Sequence, residues 1–313
     1  MAQSLLKRVA IHWQRFEKSA AEERSEYEAR FEPLGFKVGK NLEIQWYETL
    51  MRRNATSLEE NLSRMVRSQP DCIIAIGETV ARELWKLTRT IPVVTALESA
   101  DPVDLGIARS ISRPGTNFTG IHGAAYEVNL KRMEFFKRLV PGLSCVGWIA
   151  FQQQLVWFPV FEKAAAAAGL RVRKVVAETK DNPRYEQVLR EIAELRGNGC
   201  LAAHFQSEWP PLVEAVTAAA RASRLILSYT GKEDTLATEG LFFSYEGLLS
   251  APGYRNEARL AKIAVRILRG ERPGDIAFEG PVAYELHINR KTARRFGVEI
   301  PPEMLVLANQ IID

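Results

Sequence analysis

The chain has 313 residues, of which 46% are hydrophobic and 26% charged, a composition typical of folded globular proteins and long enough for two domains. Its 42 Lys and Arg residues exceed its 38 Asp and Glu residues by only +4, and they are spread along the chain, which disfavours a nucleic-acid-binding surface. No apolar run reaches the length of a membrane span, so the sequence disfavours an integral membrane protein.

Strands and helices alternate in the first third of the sequence. The apolar runs predict buried strands at Arg8–Trp13, Leu42–Tyr47, Cys72–Gly77 and Ile91–Leu97. Helical spacing of apolar residues predicts helices at Ser19–Leu34, from Ser57 onwards, and at Thr79–Leu87. Because strands that alternate with helices pair in parallel through right-handed crossovers, this part predicts a doubly wound α/β sheet.

After a turn-rich stretch at Ser112–Ile121 the alternation starts again. The predicted strands are Cys145–Phe151, Arg171–Ala177, Cys200–Phe205 and Leu225–Tyr229. The predicted helices are Asn129–Val140, Val156–Ala168, Tyr185–Leu195 and Pro211–Ala222. The chain therefore predicts two successive α/β lobes of similar size, although no residue-level repeat relates them.

The C-terminal part is too short to form a third domain. It contains predicted strands at Leu241–Tyr245 and Tyr284–Ile288 and predicted helices at Arg255–Leu268 and Lys291–Phe296. These elements must complete the two lobes, so the chain is expected to cross between them more than once. The predicted boundaries are 1–120 plus 244–280 for the N-terminal lobe and 121–243 plus 281–313 for the C-terminal lobe.

The cysteines and histidines do not form a recognisable site. Cys72, Cys145 and Cys200 each begin an apolar run, which favours small buried residues over a disulfide framework or a metal site. The four histidines lack metal-ligand spacing, and no cofactor is predicted.

Two long motifs resemble a known family. Asp101–Gly106, Ser110 and Arg113–Gly120 are similar to the Asp-Pro-Val…Gly…Ser…Arg-Pro-Gly-Gly-Asn-Val-Thr-Gly stretch of bacterial ABC-transporter substrate-binding proteins of the tryptophan/tyrosine type. Glu285–Ala293 and Phe296–Pro302 resemble the ending of the same family, and Arg266–Pro273 resembles its Ile-Leu-x-Gly-x-x-Pro segment. The resemblance covers nearly the whole chain in order.

The resemblance implies a type I periplasmic-binding fold, in which two doubly wound parallel-sheet lobes joined by a hinge close on a ligand in the cleft between them. It implies a monomer that binds a small molecule, delivers it to an ABC permease in the membrane and does not bind nucleic acid. No apolar signal segment is visible, but Ala2-Gln3-Ser4 is similar to a mature start after cleavage, with Met1 added, so a periplasmic location is expected.

Candidate ligand-binding residues follow from the rule that ligands lie beyond the carboxyl ends of parallel strands. Gly77 allows close approach of a ligand, and the helix start after it suits an anion, while Thr79 either donates to the ligand or caps the helix. Glu78 and Glu98 are acids suited to an amine or hydroxyl group of the ligand.

Aromatic and amide side chains follow several strands of both lobes. Aromatic rings there either stack a planar ligand or pack inward beneath the loops. The candidates are Trp13, Gln14, Phe151, Gln152, Phe205, Gln206, Trp209, Tyr229 and Tyr245. They are compatible with an aromatic amino acid, an aromatic acid, a nucleobase-like compound or a short peptide.

Other residues in the motifs are predicted to be structural. Asp101 before Pro102 is expected to form a turn. Asn289 is expected to cap the short terminal helix at Lys291–Phe296. Arg113-Pro114-Gly115 is expected to set the bend where the chain crosses between lobes.

Three function classes remain open. A solute-binding protein is favoured over a ligand-sensing subunit of a receptor or regulator, and both over an α/β enzyme that uses Glu78 or Glu98. No Gly-x-Gly-x-x-Gly, Walker or Gly-x-Ser-x-Gly motif supports an enzyme. A DNA-binding repressor of this fold would need helices before the first strand, where only a few residues stand.

Overall fold

A computed structural model describes residues 6–15, 21–50, 56–98, 100–178, 185–206, 210–230, 240–248 and 256–313. Its chain divides into two compact units, with residues 1–124 and 249–282 in unit 1 and residues 125–248 and 283–313 in unit 2. The chain therefore crosses between the units three times. None of the described helices has the length and apolar character needed to cross a bilayer.

Unit 1 contains a parallel sheet with helices on both faces. Its strands are β1 (Lys7–Arg15), β2 (Leu42–Leu50), β3 (Cys72–Ile76), β4 (Val93–Leu97) and β5 (Phe118–His122), in the order β2-β1-β3-β4-β5. Helices α1 (Ala21–Glu28), α2 (Thr56–Arg67) and α3 (Glu78–Leu87) follow the first three strands in turn. One face of the sheet packs against Tyr27 and Phe31 and the other against α2 and α3.

Unit 2 repeats this winding. Its first strands are β6 (Cys145–Phe151), β7 (Arg171–Ala177), β8 (Ala202–Gln206), β9 (Ile226–Tyr229) and β10 (Leu241–Leu248). Its helices are α4 (Ala125–Leu139), α5 (Phe158–Ala167), α6 (Tyr185–Gly197) and α7 (Pro210–Ala222). Helices α4 and α5 cover one face of the sheet, and α6 and α7 cover the other. The two doubly wound α/β units predicted from the alternation are present.

The C-terminal elements complete both units. Helix α8 (Asn256–Leu268) packs on the sheet of unit 1. Strands β11 (Ala283–Asn289) and β12 (Gln310–Ile312) and helices α9 (Arg290–Phe296) and α10 (Pro302–Leu307) belong to unit 2. The order of the second sheet is β12-β11-β10-β9-β8-β6-β7, and the β10–β11 pair is antiparallel, so this sheet is only mostly parallel.

The boundaries between the units differ from the predicted ones. Strand β10 was expected to be divided at residue 244, but all of it lies in unit 2 because it pairs with β9 on one side and β11 on the other. The Arg113-Pro114-Gly115 turn does not lie at a crossing, since all three residues belong to unit 1. There, the Gly115 N–H donates to the Gly274 carbonyl at 2.9 Å.

The prediction that disfavoured a disulfide is wrong for two of the three cysteines. All three are fully buried, as expected, but Cys145 and Cys200 form a disulfide. Cys145 begins β6 and Cys200 stands just before β8, and these strands are neighbours in the sheet. The sequence separation of 55 residues conceals this proximity. Cys72 has a free thiol.

Candidate functional site

Both sheets place predicted site residues where the winding reverses. In unit 1 the reversal falls between β1 and β3, and in unit 2 between β6 and β8. The carboxyl ends of strands at such a reversal form the usual ligand crevice of a doubly wound sheet. Trp13 and Gln14 lie near the carboxyl end of β1, and nothing is described of their side chains; Trp209 lies outside the described residues. Gly77 directly follows β3.

The Gly77-Glu78-Thr79 segment begins α3 at this edge of unit 1. Gly77 has a φ of 101°, a backbone conformation that glycine adopts at little cost and other residues rarely adopt. Glu78 is buried, and its Oε1 accepts a hydrogen bond of 2.8 Å from the Glu98 backbone N–H. This hydrogen bond connects the start of α3 to the residue that follows β4. The Thr79 and Glu98 side chains are exposed at the same edge.

The loop after β4 lies close to the segment after β5, at Glu98 and Gly123. A Cβ atom placed on Gly123 would lie 2.0 Å from the Glu98 carbonyl oxygen, so only glycine fits there.

Asp101 has the structural role predicted for it, because its Oδ1 accepts the Val103 N–H at 2.7 Å. Asn289 also caps α9 as predicted, since its Oδ1 accepts the Thr292 N–H at 2.8 Å.

Three of the candidate aromatic residues are core residues of unit 2. Phe151, Phe205 and Tyr229 are fully buried in the cluster beneath α6 and α7, which is the packing alternative. Tyr245 differs because its side chain is partly exposed. Its ring contacts Phe135 edge-on at 5.3 Å and stacks on Tyr284 at 6.1 Å. Ligand contact by these rings stays a prediction.

The opposite face of the same strand ends carries polar residues. Gln206, the last residue of β8, is buried, whereas Gln152 after β6 is exposed. His204 Nε2 lies 3.0 Å from Gln206 Oε1 and 3.0 Å from Thr230 Oγ1, and its Nδ1 lies 2.8 Å from Ser228 Oγ. Burial, and then the charge of Arg132, hold the pKa of His204 well below its usual range. The imidazole is therefore neutral at physiological pH.

A buried arginine lies on the same face of the sheet. Arg132 on α4 is 2% exposed and donates through Nη1 to Asn129 and through Nη2 to the Tyr245 carbonyl at 2.9 Å. Its Nη2 also lies 3.2 Å from a carboxylate oxygen of Glu246. Burial lowers the pKa of Arg132, and the Glu246 carboxylate opposes that shift.

Sequence reasoning did not select Arg132, His204 or Ser228. A signal was present for Arg132, because Asn129, Arg132, Met133 and Phe136 recur at helical spacing on one face of α4. A charged residue within an apolar helix face indicates a buried interaction. No comparable signal marked Ser228, whose proximity to His204 depends on the pairing of β8 with β9.

His12 in β1 gives the protein an expected sensitivity to acid. Its side chain is fully buried, its Nε2 lies 3.0 Å from Thr49 Oγ1, and burial lowers its pKa to about 4. Because the unfolded chain binds this proton near pH 6.5, stability contributed by the neutral imidazole is lost as the pH falls from 6.5 to 4, by about 3 kcal/mol. Urea unfolding as a function of pH should show a flatter profile in His12→Gln over this interval. An equal slope in the variant would contradict this assignment.

The chain is similar in fold to solved structures. Crystal structures of a conserved domain protein from Vibrio cholerae and of an ABC domain in complex with L-Trp from Streptococcus pneumoniae match with TM-scores of 0.69 and 0.67 at 21% and 17% identity. In both cases 98% of this chain and 99% of the other are covered. These likenesses show the type I periplasmic-binding fold that the resemblance predicted.

Sequence relatives extend the comparison. The tyrosine-binding protein of Clostridioides difficile is 28% identical over 118 residues, which is 38% of this chain and 33% of that protein. The match thus spans about one third of the length of this curated relative. A family model described as ABC transporter substrate binding protein matches residues 22–193. Because that model matches more than half of the chain, the chain belongs to the ABC transporter substrate-binding protein family.

Proposed function

We propose that this protein is the extracytoplasmic solute-binding protein of an ABC importer and that its ligand is a small, amino-acid-like or aromatic molecule. The observation that carries the proposal is the family membership of the chain. The placement of Gly77, Glu78 and Gln206 at the winding reversals of the two sheets supports it, because these positions bind ligands in doubly wound folds.

The proposed ligand class rests on chemistry and on relatives. The exposed Glu98 carboxylate and the Thr79 hydroxyl suit a ligand ammonium group, and the partly exposed Tyr245 ring suits an aromatic body. One relative is named a tyrosine-binding protein, and one structural neighbour is in complex with L-Trp. We therefore favour an aromatic amino acid over a sugar.

The proposed mechanism is capture by hinge closure. The chain passes between the units three times, which is the connection that a hinge requires. A ligand that binds the closed form more tightly than the open form shifts the population towards closure. The closed, loaded monomer would then deliver its ligand to the membrane permease.

The proposed location outside the cytoplasm has independent support. Disulfides persist in oxidising compartments such as the periplasm and are rare in the cytosol. The bond between Cys145 and Cys200 is therefore consistent with an exported protein.

A thermal-shift screen against amino acids, aromatic acids, nucleobases and sugars tests the proposed function. A ligand present at one hundred times its Kd stabilises the folded state by about 2.7 kcal/mol, which raises the Tm of a protein of this size by several degrees. We expect L-tyrosine or L-tryptophan to produce this rise and sugars to leave the Tm unchanged.

Three results would argue against the proposal. A rise with sugars or nucleobases alone would overturn the ligand class. Chemical conversion of the bound compound, followed by mass spectrometry, would favour an enzyme. The absence of any rise, with no ligand released when the purified protein is denatured, would contradict small-molecule capture.

A further inference from the structure

The polar cluster around His204 has a defined position at the carboxyl ends of β8 and β9. It consists of His204, Gln206, Ser228 and Thr230, on the face of the sheet that α4 and α5 cover. His204 and Ser228 are fully buried, and Gln206 is nearly so. The Phe161 ring stacks on the imidazole at 5.6 Å, which fixes its plane. Such a buried polar cluster is costly unless its hydrogen bonds are satisfied.

The hydrogen positions in this cluster follow from the atoms that face one another. His204 Nε2 lies 3.0 Å from Gln206 Oε1, and an amide oxygen can only accept, so Nε2 carries the proton. A neutral imidazole has one N–H, so Nδ1 must accept the hydroxyl proton of Ser228 at 2.8 Å. Thr230 Oγ1, 3.0 Å from Nε2, is a second acceptor for the same N–H.

This arrangement leaves hydrogen-bond donors at the end of the sheet. Gln206 Oε1 accepts a hydrogen bond from His204, so the NH2 group of the same side chain is left to donate to another partner. The Thr230 oxygen accepts from His204, so its hydroxyl proton is available. Neither side chain has another hydrogen bond within the part of the chain that the structure describes. Paired donors of this kind fit an acceptor such as a carboxylate oxygen.

A positive charge acts on this cluster. Arg132 lowers the pKa of His204 through its charge, and the Glu246 carboxylate lies 3.2 Å from the Arg132 guanidinium group. A cation beside the cluster favours an anionic group over a cationic one. The donors of Gln206 and Thr230 would specify where such a group binds.

We propose that His204 is a positioning residue that fixes Gln206 and Thr230 as paired donors to a carboxylate of the ligand. The proposal rests on the solute-binding function proposed above and adds the chemical group that unit 2 recognises. Ser228 contributes by fixing the tautomer of His204.

Nuclear magnetic resonance tests the hydrogen positions without any ligand. Long-range proton–nitrogen correlation of the His204 ring, assigned by comparison with His204→Gln, should show a protonated Nε2 and an unprotonated Nδ1. A proton on Nδ1 would reverse the bond to Gln206 and Thr230 and would overturn the proposal.

Calorimetric titration with matched ligand pairs tests the recognised group. L-tyrosine and tyramine share a ring and an ammonium group but differ in the carboxylate, and L-tryptophan and tryptamine form a second pair. We expect wild-type protein to bind the amino acids about 100-fold more tightly than the amines, because a site built for an acceptor is left with unpaired donors by the amine.

Variants should change this ratio in a defined order. Gln206→Glu replaces the donors by a carboxylate and should reduce the ratio to less than about 10-fold, and Thr230→Val should reduce it several-fold. His204→Leu should also reduce it, whereas His204→Gln, which keeps an N–H near the Nε2 position, should retain most of it. Gln187→Glu, at an exposed position of α6, and Thr217→Val, whose hydroxyl donates to carbonyls of its own helix, are controls that should not alter it.

The outcomes separate this inference from the function on which it rests. Equal binding of acid and amine by wild-type protein, or an unchanged ratio in Gln206→Glu, would overturn the carboxylate assignment and leave solute binding standing. Binding of sugars or nucleobases alone would do the same. Failure to bind any compound of the wider panel would overturn both. A lower Tm in His204→Leu with an unchanged ratio would show a structural role only.

Discussion

Replacing Gly120 by alanine is expected to destabilise unit 1 by at least about 4 kcal/mol. Gly120 lies within β5, opposite Thr95 of β4, and has a φ of 152°. A Cβ atom there would lie 1.8 Å from the Thr95 carbonyl oxygen. Because that oxygen belongs to the backbone of a fully buried strand, β4 and β5 could only separate to admit the methyl group. Chemical denaturation of Gly120→Ala against wild-type protein measures the loss.

Gly197 provides the matched control. It ends α6, and a Cβ atom there would meet nothing within 4 Å. Gly197→Ala should therefore leave stability unchanged or raise it by up to about 1 kcal/mol. Similar unfolding midpoints for Gly120→Ala and Gly197→Ala would show that β5 tolerates a side chain, contrary to this account.

Removing the disulfide has the second largest expected effect. The bond closes a loop of 55 residues, for which the loop-entropy model gives a stabilisation of about 4 kcal/mol. The double variant Cys145→Ala, Cys200→Ala should lose stability of this order in urea unfolding. Treatment of wild-type protein with dithiothreitol should lower its stability towards that of the double variant.

A thiol count and a third cysteine complete this test. Denatured, unreduced wild-type protein should contain one reactive thiol from its three cysteines, that of Cys72. Cys72→Ala, at an equally buried position, should cost only about 1 kcal/mol, the effect of a small cavity. Three reactive thiols in protein purified from the periplasm would contradict the pairing.

The alternation of strands and helices was readable because buried parallel strands are short apolar runs between amphipathic helices. Two helix boundaries were predicted wrongly, the start of α4 and the end of α1. Helix α4 was predicted to start at Asn129. It starts instead at Ala125, and the Asn129 amide donates to the Ala125 carbonyl at 2.8 Å. Helix α1 ends at Glu28, and a short 3₁₀ turn at Glu32–Leu34, which contains Pro33, follows it, although both were predicted as one helix.

The edge of the sheet that holds the candidate site could be predicted, but the residues that share one face of the sheet there could not. Strand ends locate the edge of a sheet, whereas the face that a residue occupies depends on alternation and pairing. Phe205 pairs with Tyr229 on one face, and His204 pairs with Ser228 on the other. The aromatic residues and Gln206 were therefore selected, whereas His204 and Ser228 beside them were missed. Neither this pairing nor the disulfide can be derived from a single sequence, because both depend on contacts between distant segments.

The three crossings of the chain also determine when each unit can fold. Helix α8 of unit 1 follows β10 of unit 2, and β11, which pairs with β10, follows α8. A growing chain therefore lacks part of the core of unit 1 until α8 is made, and β10 has no antiparallel neighbour until β11 is made. Contacts of such long sequence separation form slowly. We expect this connectivity to delay complete folding of both units until synthesis is nearly finished, which would suit the export proposed above.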